Sequence, residues 1–367
     1  MVCSETFLLG REISKTDIKP IALDCMGGDR GPEVTVAGAL RLLEESDAIE
    51  LILVGDEKEI RNFFQDKSLS ERVRIEHAPD RIEMHESPMV VKKRPNSSLV
   101  RCLDLFQSGE ARAVVSAGHT GAYLAGTTLR WGLVRGVKRA AIAVEFRTPI
   151  GQVVLIDAGA GVRNRPVHYL HHAVMGVLYS RILTGKTDPT VGLLNIGEEP
   201  GKGVDVVHKA HRILRESGLC YEGYVEGDDV FAARTDVVVC DGFLGNVLLK
   251  VSEGFASCVR AFLDETLSRM ADPSFSRQVL GEMAQWSDYQ NYGGAPLLGI
   301  RGTAVVCHGK SEAVAICKAI HLADRLAHHE VVRRIEEGIV SLRSGGAFLD
   351  RWVDRFTSSS ADEPGMR

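Results

Sequence analysis

The sequence predicts an α/β protein, a three-layer α/β/α sandwich around a mostly parallel sheet, with a helical excursion near residues 255–290. Three observations carry this. Short apolar runs rich in Val and Ile recur along the chain, helix-length segments alternate with them, and six of the runs end in small, polar, glycine-rich turns. Buried parallel strands read as short continuous apolar runs, and strict strand–helix alternation places helices on both faces of their sheet.

Taken in order, the first strand is predicted over 21–23 and ends in Asp24-Cys25-Met26-Gly27-Gly28-Asp29, before a helix over 33–45. A strand over 51–54 leads through Gly55-Asp56 to a helix over 57–65. The cationic turn Lys92-Lys93-Arg94-Pro95-Asn96-Ser97-Ser98 opens a further helix. The strand over 113–115 ends in Ser116-Ala117-Gly118-His119-Thr120-Gly121, with a helix over 123–130. The strand over 153–156 ends in Asp157-Ala158-Gly159-Ala160-Gly161 and precedes a helix over 169–184. Strand 191–194 ends in Asn195-Ile196-Gly197, with a helix over 204–216. Strand 237–240 ends in Asp241-Gly242-Phe243-Leu244-Gly245-Asn246, where a helix over 246–270 begins. The last pair is a strand over 304–307 and a helix over 311–325. Residues 1–18 read as an N-terminal extension, 19–345 as one α/β domain, and 346–367 as a tail with a disordered end.

Composition removes several function classes. The 367 residues carry 44 Lys plus Arg against 49 Asp plus Glu, a formal charge of −5, so a nucleic-acid binder is disfavoured. Eight cysteines form no C-x-x-C pair and sit mostly in apolar runs, which reads as reduced thiols in a cytoplasmic protein. No signal peptide is visible, and the longest charge-free stretch, 113–129, is too short and polar to span a bilayer. The 37 glycines exceed ordinary usage, and they gather at strand ends.

Those strand ends are where chemistry is expected. In an open α/β sheet ligands bind in the crevice outside the strand carboxyl ends, which the parallel reading puts on one edge. Glycines allow close backbone approach, and helix N-termini offer N–H groups to anions. Phosphate is the ligand these turns suggest, yet established motifs fail. Gly159-x-Gly161-x-x-Asn164 lacks the third glycine of a dinucleotide fingerprint, and 197–202 is too short for a P-loop. A nucleophile is equally elusive. Ser116, His119 and Thr120 are adjacent on one turn and point apart, and no G-x-S-x-G elbow exists. His168, His171 and His172 share a helix face without an acidic or thiol partner, so no metal site is expected there. Two basic clusters, 92–94 and Arg130-Arg135-Lys138-Arg139, suggest an acidic partner or anionic substrate.

Read together, these words resemble the phosphate acyltransferase family, the acyl-carrier-protein:phosphate transacylases of bacterial phospholipid synthesis. The resemblance runs from about residue 21 to about 325. It rests on Asp24-x-Met26-Gly27-Gly28-Asp29, 92–98, Ser116-Ala117-Gly118, Gly192-Leu193-Leu194-Asn195-Ile196-Gly197-Glu198-Glu199, Lys202-Gly203, Asp241-Gly242-Phe243-x-Gly245-Asn246 and Asn291-Tyr292-Gly293-Gly294. It implies a homodimer of Rossmann-like three-layer subunits, without cofactor or metal. It also implies transfer of a fatty acyl group from acyl carrier protein to inorganic phosphate, peripheral work at the inner face of the cell membrane, and delivery of acyl phosphate to a glycerol-phosphate acyltransferase. Phosphate itself would be the nucleophile, which accounts for the failed search, and the protein would orient it and stabilise the oxyanion.

On this reading Lys202, His119 and Asn246 are the catalytic candidates. Substrate is expected to meet the turns carrying Asp24, Gly27, Gly28 and Asp29; Ser116, Gly118, Thr120 and Gly121; Asp157 and Gly159; and Asp241, Gly242 and Gly245. Lys92, Lys93, Arg94, Asn96 and Ser97 are expected to receive the carrier protein or its phosphopantetheine phosphate. The chain departs from the family pattern at His119, Gly161 and Val204-Asp205, where the resemblance leads one to expect asparagine, asparagine and Asn-Glu. A protonated His119 would hold phosphate more firmly than an amide, and less firmly as pH rises past about 6.5. Three other readings stay open: a coenzyme A thioester as donor, an inactive scaffold, and a decarboxylating dehydrogenase that would need a carboxylate cluster. The apolar positions Phe255, Val259, Phe262, Leu263, Leu267 and Met270 suit a dimer interface or a lipid-facing surface equally.

Overall fold

The computed structural model describes residues 19–64, 70–148, 150–199, 201–270, 272–287 and 293–344. The extension over 1–18, the tail over 346–367, and Asn291 and Tyr292 lie outside the described residues.

The elements run β1 (Ile21–Asp24), α1 (Pro32–Glu45), β2 (Leu51–Gly55), α2 (Glu57–Asn62), β3 (Val73–His77), α3 (Ser98–Gln107), β4 (Ala113–Ser116), α4 (Thr120–Arg130), β5 (Ala141–Thr148) and β6 (Gly151–Ile156). They continue with α5 (Pro166–Thr184), β7 (Val191–Leu194), α6 (Asp205–Arg215), β8 (Tyr221–Val225), β9 (Val237–Val239), α7 (Gly242–Met270), α8 (Pro273–Ser287), β10 (Ala295–Leu298), β11 (Ala304–Val306), α9 (Ala313–His328) and α10 (Val331–Ser344). The strands form one sheet of order β3-β2-β1-β4-β11-β10-β5-β6-β9-β7-β8.

Alternate strand residues enter opposite cores, as a period of two requires. Ile21, Leu23, Leu51, Leu53, Ala113 and Val115 pack with α1 and α9 on one face, joined farther along by α5, α6 and α10. Ala22, Ile52, Val54 and Val114 pack with α3 and α4 on the other. The three layers expected from the alternation are present. Helix α5 is buried along most of its length, which takes His168, His171 and His172 inside rather than onto a helix surface.

One expectation fails in an informative way. The strands β1, β2, β3, β4 and β11 are mutually parallel, and so are β6, β9, β7 and β8. Three antiparallel steps, β11–β10, β10–β5 and β5–β6, separate the blocks. An odd number of reversals makes the blocks run in opposite directions. The glycine-rich turns therefore leave the sheet in two groups instead of along one edge, and the bridging strands β10 and β5 lie between them.

The helical excursion is the pair α7 and α8. Phe243, Val247, Val251 and Phe255 of α7 are exposed at spacings of about one helical turn, and exposed Phe262 follows two turns later. No helix among the described residues is long and apolar enough to cross a membrane.

Candidate active site

A cleft of about 580 Å³ lies where the two groups of turns approach each other. Ile142 and Val144 of β5, Ala295 of β10, Val306 of β11 and Leu124 of α4 give it an apolar lining. Thr120 and Gly121 reach it from the N-terminus of α4, Ala158 and Gly159 from the β6 turn, and Asn246, Leu249, Lys250 and Glu253 from α7. Asp29 and the turn His308-Gly309-Lys310-Ser311 complete its rim. Polar groups thus surround an apolar floor, a combination suited to a ligand with a charged end and a hydrocarbon end.

The first group of turns is held by a buried carboxylate. Ser116 Oγ donates to Asp24 Oδ2 at 2.6 Å, and Gly118 N–H donates to Ser116 Oγ at 3.0 Å. Burial pushes the Asp24 carboxyl above the usual range, while Ser116, Ser98 and the N–H groups of Met26 and Gly27 pull it down. Gly27 fits because a Cβ there would lie 2.7 Å from Gly118 N and 2.8 Å from Asp24 Oδ2. Gly28 takes a positive φ of 91°, and Asp29 N–H donates to Gly309 O at 2.8 Å, fastening this turn to the one after β11. Asp24, Gly27, Gly28, Ser116 and Gly118 shape the cleft without lining it; Asp29, Thr120 and Gly121 line it.

His119 is the N-cap of α4. Its Nδ1 accepts from Ala122 N–H at 3.3 Å, and its Nε2 lies 2.8 Å from the Glu86 carbonyl oxygen, to which it can only donate. Both ring nitrogens are engaged with backbone, and His119 is absent from the cleft lining. Asparagine is among the preferred N-caps, and His119 does the same work by the same bond.

The second group is organised by Asp157, fully buried after β6. Its Oδ1 accepts from the N–H groups of Ile142, Gly159 and Ala160 at 3.0, 3.0 and 2.9 Å, and its Oδ2 from Gly161 at 2.8 Å. Burial raises its pKa against the pull of these four donors. Asp241 Oδ1 accepts from Leu244 N–H at 2.9 Å at the start of α7, and Gly242 N–H donates to Gly161 O at 2.8 Å. A Cβ on Gly245 would lie 2.0 Å from Asp157 O, and one on Gly242 2.7 Å from Asp157 Oδ2. These residues hold Gly159 against Asn246, and those two do line the cleft.

Other expected residues lie elsewhere. Lys202 is exposed in the turn after β7, pairs with Glu199 at 2.8 Å, and is absent from the cleft lining. Lys92 and Lys93 are exposed at the end of the turn over Pro88–Lys92 and just after it, and Pro88 packs beside Gly121. Arg94 pairs with Glu86 at 2.8 Å, exposed Asn96 offers its carbonyl to Asp80 N–H at 3.4 Å, and buried Ser97 caps α3 through Val100 N–H at 3.4 Å.

The cleft also holds charged residues that sequence reading missed. Lys250 Nζ lies 2.7 Å from Glu253 Oε2 and 3.3 Å from His308 Nε2. Lys250 stands four residues after Asn246 and so shares its helix face, a signal present in the sequence. His308 opens a seventh polar turn, after β11, that the glycine pattern did not include. Cys307 also lines the cleft, but burial pushes its pKa up to about 12, which leaves it a thiol rather than a nucleophilic thiolate.

A family model described as "Fatty acid synthesis protein" matches residues 19–334. A phosphate acyltransferase of Pelotomaculum thermopropionicum is 41% identical over 337 residues, covering 89% of this chain and 97% of its own. One from Synechococcus elongatus is 41% identical over 324 residues, covering 86% and 93%. Among solved structures, a phosphotransacetylase from Streptococcus pyogenes superposes with a TM-score of 0.58 at 17% identity, covering 84% of this chain and 94% of that one. The EutD phosphotransacetylase from Staphylococcus aureus gives 0.54 at 15% identity, covering 86% and 95%. Those structures share the fold; the sequence relatives establish the family. The chain is an acyltransferase and belongs to the phosphate acyltransferase family.

Proposed function

We propose that the chain transfers a fatty acyl group from the thioester of acyl carrier protein to inorganic phosphate, giving acyl phosphate for phospholipid synthesis. The observation that carries this reading is the cleft itself, with an apolar floor and, on its rim, the start of α4, Asn246 and Lys250. A phosphate oxygen attacks the thioester carbonyl carbon; the C–O bond forms, the C–S bond breaks, and the departing thiolate takes the proton that phosphate loses. No enzyme nucleophile is needed. Ser116, the hydroxyl nearest to one in the sequence pattern, is buried and committed to Asp24.

Phosphate positioning falls to Thr120, Gly121 and Asn246, with Asp24, Ser116, Gly118, Asp157, Gly242 and Gly245 fixing their loops. Exposed Lys92 and Lys93, beside α4, suit an acidic carrier protein. The exposed apolar stripe of α7 supports a homodimer or a peripheral seat on the inner face of the membrane, from which product would reach a glycerol-phosphate acyltransferase. The reading is that of a cytoplasmic enzyme needing no cofactor.

Coenzyme A is the alternative thioester, favoured by the shared fold with phosphotransacetylases. Purified chain given phosphate and equal concentrations of a long-chain acyl-carrier-protein thioester and the matching coenzyme A thioester is expected to form acyl phosphate faster from the carrier protein. Equal or faster turnover of coenzyme A would transfer the reading to that donor. No product from either would leave a binding or scaffolding role.

A further inference from the structure

We infer that Glu45, Cys317 and His321 form a binding site for a divalent cation of the Zn2+ type, at the junction of α1 and α9. None of the three lines the cleft, so the site stands independently of the acyl-transfer reading. Cys317 and His321 lie four residues apart on α9, which puts them on one helix face. Glu45 ends α1. Its Oε1 accepts from Arg41 Nε at 2.7 Å, and its Oε2 is the oxygen turned towards α9. Cys317 Sγ donates to this Oε2 at 3.4 Å, and His321 Nε2 lies 3.8 Å from it. Thiol, imidazole and carboxylate each bring a ligand atom, and the three atoms lie within 4.8 Å of one another.

Those separations are close to what a tetrahedral ion demands. Zinc–sulfur bonds near 2.3 Å and zinc–nitrogen or zinc–oxygen bonds near 2.0–2.2 Å set neighbouring ligand atoms roughly 3.3–3.6 Å apart. Small side-chain rotations therefore close the set around an ion, with water in the fourth position. The donor types select the metal: thiolate and imidazole suit Zn2+, whereas Mg2+ and Ca2+ take oxygen ligands. Glu45 also stands at the C-terminal end of α1, where the aligned peptide dipoles favour positive charge. Burial first, then the Glu45 carboxylate, pushes the Cys317 thiol up to about 12, so it is protonated without metal. An entering ion displaces that proton to solvent, and thiolate and carboxylate then balance its two charges. Cys317 is buried, while exposed Glu45 and half-buried His321 leave the ion a way in from solvent.

Cobalt, a spectroscopic stand-in for zinc, tests this. Full-length protein titrated with Co2+ is expected to develop a thiolate-to-cobalt charge-transfer band together with the intense visible bands of a four-coordinate ion, and added Zn2+ to bleach both. Cys317→Ser is expected to remove the charge-transfer band, whereas Cys220→Ser and Cys258→Ser, at exposed thiols, are expected to keep it. His321→Ala and Glu45→Gln are expected to weaken Co2+ binding at least tenfold, and these two decide the matter even if Cys317→Ser does not fold. Zn2+ is expected to raise the Tm of the wild type but not of His321→Ala, with Mg2+ at the same concentration raising neither. A titration without the thiolate band, a band that survives Cys317→Ser, or His321→Ala binding as tightly as the wild type would each overturn the site.

Discussion

Ser116 Oγ donates to Asp24 Oδ2 at 2.6 Å while accepting from Gly118 N–H at 3.0 Å, so one buried hydroxyl joins the ends of two neighbouring strands. The β1 and β4 turns are thereby a single unit, and the start of α4 is aimed at the cleft from a fixed base. Removing the hydroxyl leaves a buried carboxylate short of a donor, which costs about 1–3 kcal/mol. Ser116→Ala is expected to lose stability in that range and to lower turnover. Urea unfolding of the two proteins checks it, and an unchanged midpoint would contradict the latch.

The glycines of α7 make a matched pair. A Cβ at Gly245 would lie 2.0 Å from the Asp157 carbonyl oxygen, whereas one at Gly254 has nothing within 4 Å. Gly245→Ala is expected to destabilise by roughly 1–3 kcal/mol, as overpacking does, and to displace the Asp157 loop from Asn246. Gly254→Ala is expected to stabilise by up to about 1 kcal/mol, since alanine is the better helix former. Thermal melts should therefore move in opposite directions.

His119 as a cap predicts tolerance of asparagine. His119→Asn keeps an acceptor for Ala122 N–H and is expected to keep turnover and its pH dependence, whereas His119→Ala is expected to lose about 1 kcal/mol of stability. Turnover profiles of wild type and His119→Asn between pH 6 and 8 check this; a histidine-dependent limb lost in the asparagine variant would instead favour an ionic role.

Acid stability follows from two histidines of α5. Burial lowers both His168 and His172 to about 4. The unfolded chain binds protons on them below about 6.5, while the folded chain does so only near 4, so stability is full above 6.5 and declines as pH falls between those values. At one pKa unit per 1.36 kcal/mol, lowering the pH from 6.5 to 5 costs about 2 kcal/mol per histidine. Unfolding midpoints at pH 7 and pH 5 should differ accordingly, and His172→Gln should remove about half of the difference.

Sequence alone showed the three layers, because strand runs such as 51–54 and 237–240 are apolar on both faces and can only be buried. It did not show the reversal between the blocks. That reversal is made by β5 and β10, and neither run stood out among the apolar segments: β5 carries Glu145 and Arg147, and β10 has a proline. At the site, glycine-rich turns marked the right loops, and Thr120, Gly121, Gly159 and Asn246 do meet in the cleft. Asp24, Asp157 and Asp241 stand in the turns expected to meet substrate, yet their oxygens are taken up largely by backbone N–H groups and by hydroxyls. Lys202 stands in a family word but outside the cleft, while Lys250, one helical turn past Asn246, lines it. Which of two lysines faces a cleft depends on helix register and on chain reversal, and neither is written in local pattern.

Phosphorus NMR of purified chain mixed with a long-chain acyl-carrier-protein thioester and inorganic phosphate follows the acyl transfer itself. The phosphate signal is expected to decline as an acyl-phosphate resonance grows in equal measure, with hydroxylamine discharging the product to a hydroxamate. A folded protein that leaves both thioester and phosphate unchanged would contradict that transfer.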